Sequence, residues 1–447
     1  MSSAGTDNTD GSVRRPGGID LRGVRVLEFS VAWAGPMAGR WLGELGADII
    51  KLEHPTSRGL SVGENMKADP AWRRGDLPGP ALRNGVFPDN DPGEHWWNRL
   101  GYFNKINRTK RSLCIDIKAP GGREVFEELV RRSDVVLNTY SPRGVRSLGI
   151  DHPTLRAINP RIVTVDLSGF GATGPEFDQV SWGPILEAAS GLADATGYAD
   201  SGPYKQGLAF PDAVGGLHGA VAILAALWER ELTGEAVHVD VSQLETYLQL
   251  GGDLALTTSL SGEAPARHGN RGDGAAPQGV YPCRGEDRWL ALSVTDDAAW
   301  TGLVALAAED GVQTLDGEGR ATLAGRTAQH GAIDAALAAW TAGHDAHELM
   351  ARLQAQDIPA GVVMANEDLV HDPHLIERSF LATVDQVDAG PLTFPGFPIH
   401  FEHHPWRVAA TPALGQHNEE VLRWLGYDDA GIAALEAAGT ITQHPPA

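Results

Sequence analysis

Arg161-Ile-Val-Thr-Val-Asp-Leu167 runs into Gly169-Phe-Gly-Ala-Thr-Gly-Pro175, and the segment continues as EFDQVSWGPILEAASGL to Leu192. A short Val/Ile-rich run that ends in glycines reads as a buried strand delivering the chain to a loop. The loop then feeds a helix: Gly183 is an acceptable cap, Pro184 suits the first helical position, and Ile185 to Ala189 propagates well. Strand, glycine loop and helix N-terminus together make a place where anions and substrates are held.

Outward from this segment the same alternation repeats. Gly23–Ser30 reads as a first strand, Met37–Leu45 as a helix after Ala34-Gly35-Pro36, and Gly46–Glu53 as a second strand. Such a unit implies a right-handed crossover and a parallel sheet. Ser112–Ile117, Asp134–Asn138 and Thr233–Ser242 read as further strands, Arg123–Arg132 and Ala213–Arg230 as helices. Asp212 reads as the cap of the last helix, and His218 as a satisfied core histidine on its apolar stripe. Residues 57–100, rich in Pro, Gly, Asn and Trp, read as an ordered loop. From Thr257 the character changes: a glycine-rich run, 267–279, is either a linker or a lid over substrate, and two strands and Ala-rich helices follow. The expected fold is α/β, with a Rossmann-like large domain built on a parallel sheet plus a smaller α+β domain. The expected division is a flexible tail (1–18), a large domain (19–255), a small domain with the glycine-rich loop (256–375) and a segment returning to the large domain (376–447).

With 36 basic against 58 acidic residues in 447, the net charge of −22 excludes nucleic-acid or anionic-membrane binding through a general field. No run of about 20 apolar residues suggests a membrane span. Two distant cysteines argue against a disulfide framework or a metal site and for a reducing cytoplasm. His400, His403 and His404 lack the rest of a metal site. The first strand ends without G-x-G-x-x-G, which disfavours a nucleotide-dependent oxidoreductase.

An anionic ligand must therefore meet a local basic pocket. Lys105, Arg108, Lys110 and Arg111, with Asn107, form the densest basic cluster in this acidic chain. Such a cluster is either a solvated loop or a phosphate seat, since Arg forks and Lys point charges both suit phosphate. Asn138, Tyr140 and Arg143 follow a strand at its carboxyl end, where ligands of doubly wound sheets bind.

G-x-G-x-x-G-P, about ten residues and a helix ending A-x-S-G-L resemble the active-site segment of the family III CoA-transferases. That family includes carnitine and formyl-CoA transferases and the α-methylacyl-CoA racemases. N-R-x-K-R-S at Asn107–Ser112 is similar to its CoA-nucleotide site, and Asn138–Gly144 to its N-x-[FY]-x-P-G element. Landmarks near Pro359, Leu369, Pro391 and Pro412 extend the resemblance over about residues 20–428. It implies coenzyme A thioesters and carboxylic acids as substrates and no metal. It adds Ala34, Gly35, Pro36 and His54 to the CoA-binding set, and it implies two chains interlocked like linked rings.

The resemblance also implies that an Asp in a Gly-x-Asp triplet does the covalent chemistry. The corresponding triplet here is Ser181-Trp182-Gly183, which has no carboxylate. Several readings follow. The chain is a CoA-transferase subunit working beside an Asp-bearing paralogue as a heterodimer, or a homodimer in which another carboxylate substitutes. Glu187, one helical turn after Gly183, and Asp178, in the preceding loop, are the candidates, each set against a solvent-facing carboxylate without function. Other acyl-CoA chemistry, such as racemisation, isomerisation or a lyase-like step through Glu187, and a non-catalytic CoA-binding subunit, complete the set.

Overall fold

The computed structural model describes residues 20–58, 87–402 and 406–445. The tail 1–18, most of the 57–100 loop, and His403 and His404 of the histidine patch lie outside them.

The chain divides into two units. The first comprises residues up to Ala189, Leu208–Leu250 and Phe380 onward; the second comprises Ser190–Gly207 and Gly251–Ser379. In the first unit, β1 (Arg25–Phe29), α1 (Ala34–Glu44) and β2 (Asp48–Glu53) form the expected βαβ unit. Next come α2 (Gly101–Asn107), β3 (Arg111–Cys114), α3 (Gly122–Arg131), β4 (Val135–Asn138), α4 (Pro142–Leu148), α5 (His152–Ile158) and β5 (Val163–Ser168). The helix α6 (Gly183–Ala189) follows the glycine loop, and α7 (Phe210–Thr233), β6 (Val237–Ser242) and α8 (Gln243–Leu248) complete this run. All six strands are parallel, in the order β3-β2-β1-β4-β5-β6. The connections reverse direction between β1 and β4, and the crevice beyond the carboxyl ends of those strands is where such sheets bind ligands.

Strand alternation assigns two cores. Leu27, Phe29, Ile50, Leu52 and Val136 face one way, onto α3 and α5. Val26, Ile49, Val135, Leu137, Val163 and Val165 face the other, onto α1 and α7. A parallel sheet covered on both faces must be apolar on both, which is why β4 is buried at every residue. The returning C-terminus supplies α14 (Asn418–Leu425) and α15 (Asp429–Ala437), whose Val421, Leu422 and Leu435 complete the first core.

Helix α7 is 24 residues long, with a mean hydropathy of 1.5 over its most apolar window, so by length and composition it passes for a membrane span. One of its faces is instead a packing surface. A Cβ on Gly216 would lie 2.6 Å from Ala34 O, and one on Gly219 would lie 3.2 Å from Leu167 Cδ2. The two glycines let α7 press against α1 and β5. His218 points away from this contact and is exposed, contrary to the core position expected, with its ring bonded to Val214 O.

The second unit carries α9 (Gly252–Ser261) and an antiparallel sheet of β7 (Gln278–Pro282), β8 (Trp289–Ser293) and β9 (Ala360–Val363). Its helices are α10 (Asp297–Glu309), α11 (Leu323–Ala328), α12 (His330–Thr341) and α13 (Ala346–Gln354). They close a separate core around Leu290, Leu292, Trp300, Leu303, Leu337 and Trp340. Residues 190–207, which the sequence placed in the large domain, join this unit because Arg267 binds Asp194 and Gly269 N donates to Gly197 O. Back in the first unit, β10 (Leu381–Gln386) and β11 (Gly390–Pro395) pair as a hairpin.

Candidate active site

The loop from β1 to α1 is held from beneath by ionic groups. Glu28 is fully buried, and its register neighbour Lys51 sits beside it on β2. Lys51 Nζ lies 2.9 Å from Glu28 Oε1, Lys110 Nζ lies 2.8 Å from Oε2, and Ser30 Oγ donates to the same carboxylate at 2.6 Å. Burial alone would push the Glu28 carboxyl up, but Lys110 and Lys51 outweigh it and hold it at about 2. Room for the carboxylate comes from Gly39, where a Cβ would lie 1.9 Å from Oε2. The lysines use their remaining protons on the loop itself: Lys51 donates to Ser30 O at 2.8 Å and Lys110 to Pro36 O at 2.8 Å. Both ends of residues 30–36 are thus fixed, and Ala32 between them takes a left-handed φ of 57°.

This network changes the reading of the basic cluster. Lys110 is spent on Glu28 and Pro36. Arg108 is buried against Glu44, its Nε 2.6 Å from Oε1. Asn107 is buried and donates to Phe103 O, while its Oδ1 accepts from Lys110. Arg111 pairs with Asp48 and Glu420. Asn107, Arg108 and Lys110 are internal and Arg111 is held by two carboxylates, because a buried cation left unpaired is costly, so they do not present the open phosphate seat expected of them. Lys105 differs. Its ammonium lies over the Trp33 ring, 5.0 Å from the centroid, at the N-terminus of α1. Burial and the neighbouring Arg40 and Arg108 lower its pKa.

A part-buried carboxylate stands at the start of α7. Phe210 and Pro211 open that helix and Ala209 is its N-cap, so Asp212 stands inside the first turn and is not the cap expected from the sequence. It is part-buried. Burial, with a smaller contribution from the charge of Glu187, pushes its carboxyl up to about 6, against a lowering backbone hydrogen bond that is larger than the Glu187 effect. Asp212 lies one turn before Gly216, on the face of α7 that meets the start of α1. It also meets Gly183: a Cβ there would lie 2.3 Å from Asp212 Oδ2 and 2.6 Å from Ala209 Cβ. The missing side chain at position 183 is therefore the space that Asp212 occupies. Glu187, four residues on, is 1% exposed, which replaces the solvent-facing alternative with a buried carboxylate. Asp212 was missed because an acid before a helix reads first as a cap. The signal was the small-residue stripe behind it, Gly216 and Gly219, which brings it against a second helix N-terminus.

The other candidates fall around the sheet's carboxyl end. Ala34, Gly35 and Pro36 are the buried first residues of α1, and a Cβ on Gly35 would lie 2.4 Å from Thr139 Cγ2. Asn138 is buried, donating to Asp166 and accepting from Tyr140 N. Its side chain holds the turn and is not presented to a ligand. Tyr140 packs edge-on to Phe29. Arg143, largely exposed, and Asp178 are ion-paired at 2.5 Å, which ties the β4 loop to the glycine loop and engages Asp178 away from Asp212. His54 is exposed after β2, bonded to Thr56 and 3.6 Å from Asp116.

Comparison with known proteins bears on this geometry directly. The family model described as CoA-transferase family III matches residues 21–418. The chain belongs to CoA-transferase family III. It is 31% identical over 424 residues to the succinyl-CoA–D-citramalate CoA-transferase of Chloroflexus aurantiacus, covering 94% of this chain and 98% of that one. It is 30% identical over 415 residues to the succinate–glutarate CoA-transferase of Agrobacterium fabrum, covering 93% and 97%. Among solved structures, a CAIB/BAIF family protein from Brucella suis superposes with a TM-score of 0.77 at 27% identity, covering 91% and 99%. As a member of CoA-transferase family III the chain is a transferase.

Proposed function

We propose that this family III enzyme moves CoA from a small acyl-CoA to a carboxylic acid with Asp212 as the covalent carrier. The observation that carries the reading is a part-buried carboxylate with a raised pKa, set between two helix N-termini in a space opened by a glycine. Asp212 attacks the thioester carbonyl, forming a mixed anhydride and expelling CoA thiolate. The thiolate returns to the aspartyl carbonyl, releasing the donor acid and leaving an aspartyl-CoA thioester. The acceptor carboxylate repeats both steps in reverse, so that Asp212 is regenerated and no proton is consumed. Asp212 supplies within this chain the carboxylate that position 183 lacks, and no Asp-bearing paralogue is then required. The test is to incubate the purified chain with succinyl-CoA and seek, on the peptide containing Asp212, a mass gain of one CoA less water. Its absence under turnover conditions overturns the covalent role.

Both named relatives act on dicarboxylic acids, which supports succinyl-CoA as donor and a small dicarboxylate as acceptor. For the CoA moiety, Lys105 over Trp33 at the head of α1 is, among the described residues of the basic cluster, the cation left to meet a phosphate, with His54, Tyr140 and Arg143 on other loops. Losing one charge-assisted contact costs about 1.5–3 kcal/mol. Lys105→Ala is therefore expected to raise KM for the acyl-CoA roughly tenfold or more, with kcat and melting temperature little changed. An unchanged KM removes Lys105 from the CoA site.

The assembly we infer is a homodimer, of the linked-ring kind implied by the family resemblance. On α7 the face away from the sheet exposes Leu217, Val221, Trp228 and Leu232 at helical spacing, and α9 buries none of its residues. Apolar stripes of this length are covered in stable proteins, and a second copy of the chain is the occupant we assign. Trp228→Glu with Leu232→Glu is expected to convert a dimer to a monomer or aggregate in light scattering; an unchanged dimer places the interface elsewhere. Cys114 and Cys283, both free and buried, suit the cytoplasm in which we place the reaction.

A further inference from the structure

The mechanism uses Asp212 but leaves Glu187 without a task. Glu187 follows Gly183 by one turn of α6, so it shares the helix face that meets Asp212. It is 1% exposed, and Tyr247 of α8, also buried, has its hydroxyl pushed up by burial and by Glu187. From α1, the face packed against α7 presents Ala34, Met37 and Ala38, none of them ionisable. Among the described residues, Glu187 is the charge that bears on Asp212.

We infer that Glu187 is a positioning residue that drives Asp212 into its covalent states: a second carboxylate sealed behind the first, repelling it while it is an anion and ceasing to when it becomes an acyl group. The inference rests on Asp212 being the carrier. As a free carboxylate, Asp212 faces a like charge across a water-poor gap. As a mixed anhydride or aspartyl thioester it is neutral, and the repulsion is gone. Glu187 therefore destabilises the resting enzyme relative to each covalent intermediate without touching substrate. It is given no part as nucleophile, because Glu187 is 1% exposed whereas Asp212 is only part-buried. The same repulsion contributes to holding the Asp212 carboxyl high, so the two consequences can be read separately.

The experiment uses Glu187→Gln in the full-length enzyme, with Asp212→Asn alongside. Two quantities are read: the acid limb of kcat/KM for succinyl-CoA exchange, and the fraction of enzyme trapped as the Asp212 thioester on acid quench. With the charge removed, the acid limb is expected to move from near 6 toward the ordinary carboxylate range. The trapped fraction is expected to fall by roughly three- to tenfold. Glu187→Asp, which keeps the charge, should restore both in part. Should Glu187→Gln fail to fold, Glu187→Met fills the same space without charge and is read the same way. An acid limb and a trapped fraction that both stay put, whatever happens to kcat, mean that burial alone sets Asp212 and overturn the inference. Turnover by Asp212→Asn would instead overturn the carrier assignment itself, so the two failures are told apart.

Discussion

Replacing Asp212 by Asn is expected to abolish CoA exchange and, in the same molecule, to stabilise the fold at neutral pH. The first effect follows from removing a covalent carrier, for which losses of at least about 10^4-fold are the usual scale. The second follows from the direction of the pKa shift. An unfolded Asp gives up its proton near 3.8, whereas Asp212 in the fold holds it to about 6. Between those values the native state binds the extra proton, so stability is present below the unfolded value and is lost as pH rises through the folded one. A shift of about two units corresponds to about 3 kcal/mol, an upper figure for a group that keeps some contact with solvent. Denaturation of wild type and Asp212→Asn should therefore coincide near pH 4 and diverge by about 1–3 kcal/mol at pH 7–8, with the variant the more stable. Wild-type exchange should fall away below about pH 6 as the nucleophile protonates. A variant that is inactive but no more stable at pH 8 than at pH 4 would show that Asp212 carries no such strain.

Gly183→Asp is expected to destroy activity, although on a family pattern it looks like a restoration. Its Cβ would sit 2.3 Å from Asp212 Oδ2 and 2.6 Å from Ala209 Cβ. The carboxylate can swing aside, but the alanine Cβ is fixed to the cap of α7, so the start of that helix must shift. Overpacking of this kind costs about 1–3 kcal/mol. Displacing a nucleophile by an ångström costs on the order of 10^2-fold in rate before the added charge is counted. Gly183→Ala, carrying the Cβ alone, should already show most of the loss, because the clash is with the Cβ. If Gly183→Asp instead gained activity over the wild type, the site would be centred on position 183 and the assignment to Asp212 would fall.

The strands were legible in the sequence, whereas the pairing of Gly183 with Asp212 was not. Strand alternation and glycine punctuation placed the six parallel strands, because local pattern decides whether a segment is buried on both faces. What pattern does not carry is the partner of a charge. Lys110 and Arg108 are read as ligand-seeking cations until β1 and α1 bring Glu28 and Glu44 against them. Asp212 and Gly183 lie 29 residues apart, and nothing in either neighbourhood says that the absent side chain of one is filled by the other. The sequence reading of α7, Ala213–Arg230, is three residues short at each end, and at the start that difference makes a first-turn carboxylate look like a cap.

The ionic cluster beneath the β1–α1 loop has a consequence for how the enzyme comes into being. Glu28, Lys51 and Lys110 are drawn from points spread over more than eighty residues, and each is tolerable inside the protein only when the others have arrived. The shape of the β1–α1 loop therefore depends on all three groups together. Until β1, β2 and the segment before β3 have docked, residues 30–36 lack both of the anchors that shape them. Long-range closure of this sort is slow to nucleate and cooperative once begun. A nascent or damaged chain thus does not display a partly organised crevice to a reactive thioester. The loop takes its shape only as the sheet is completed.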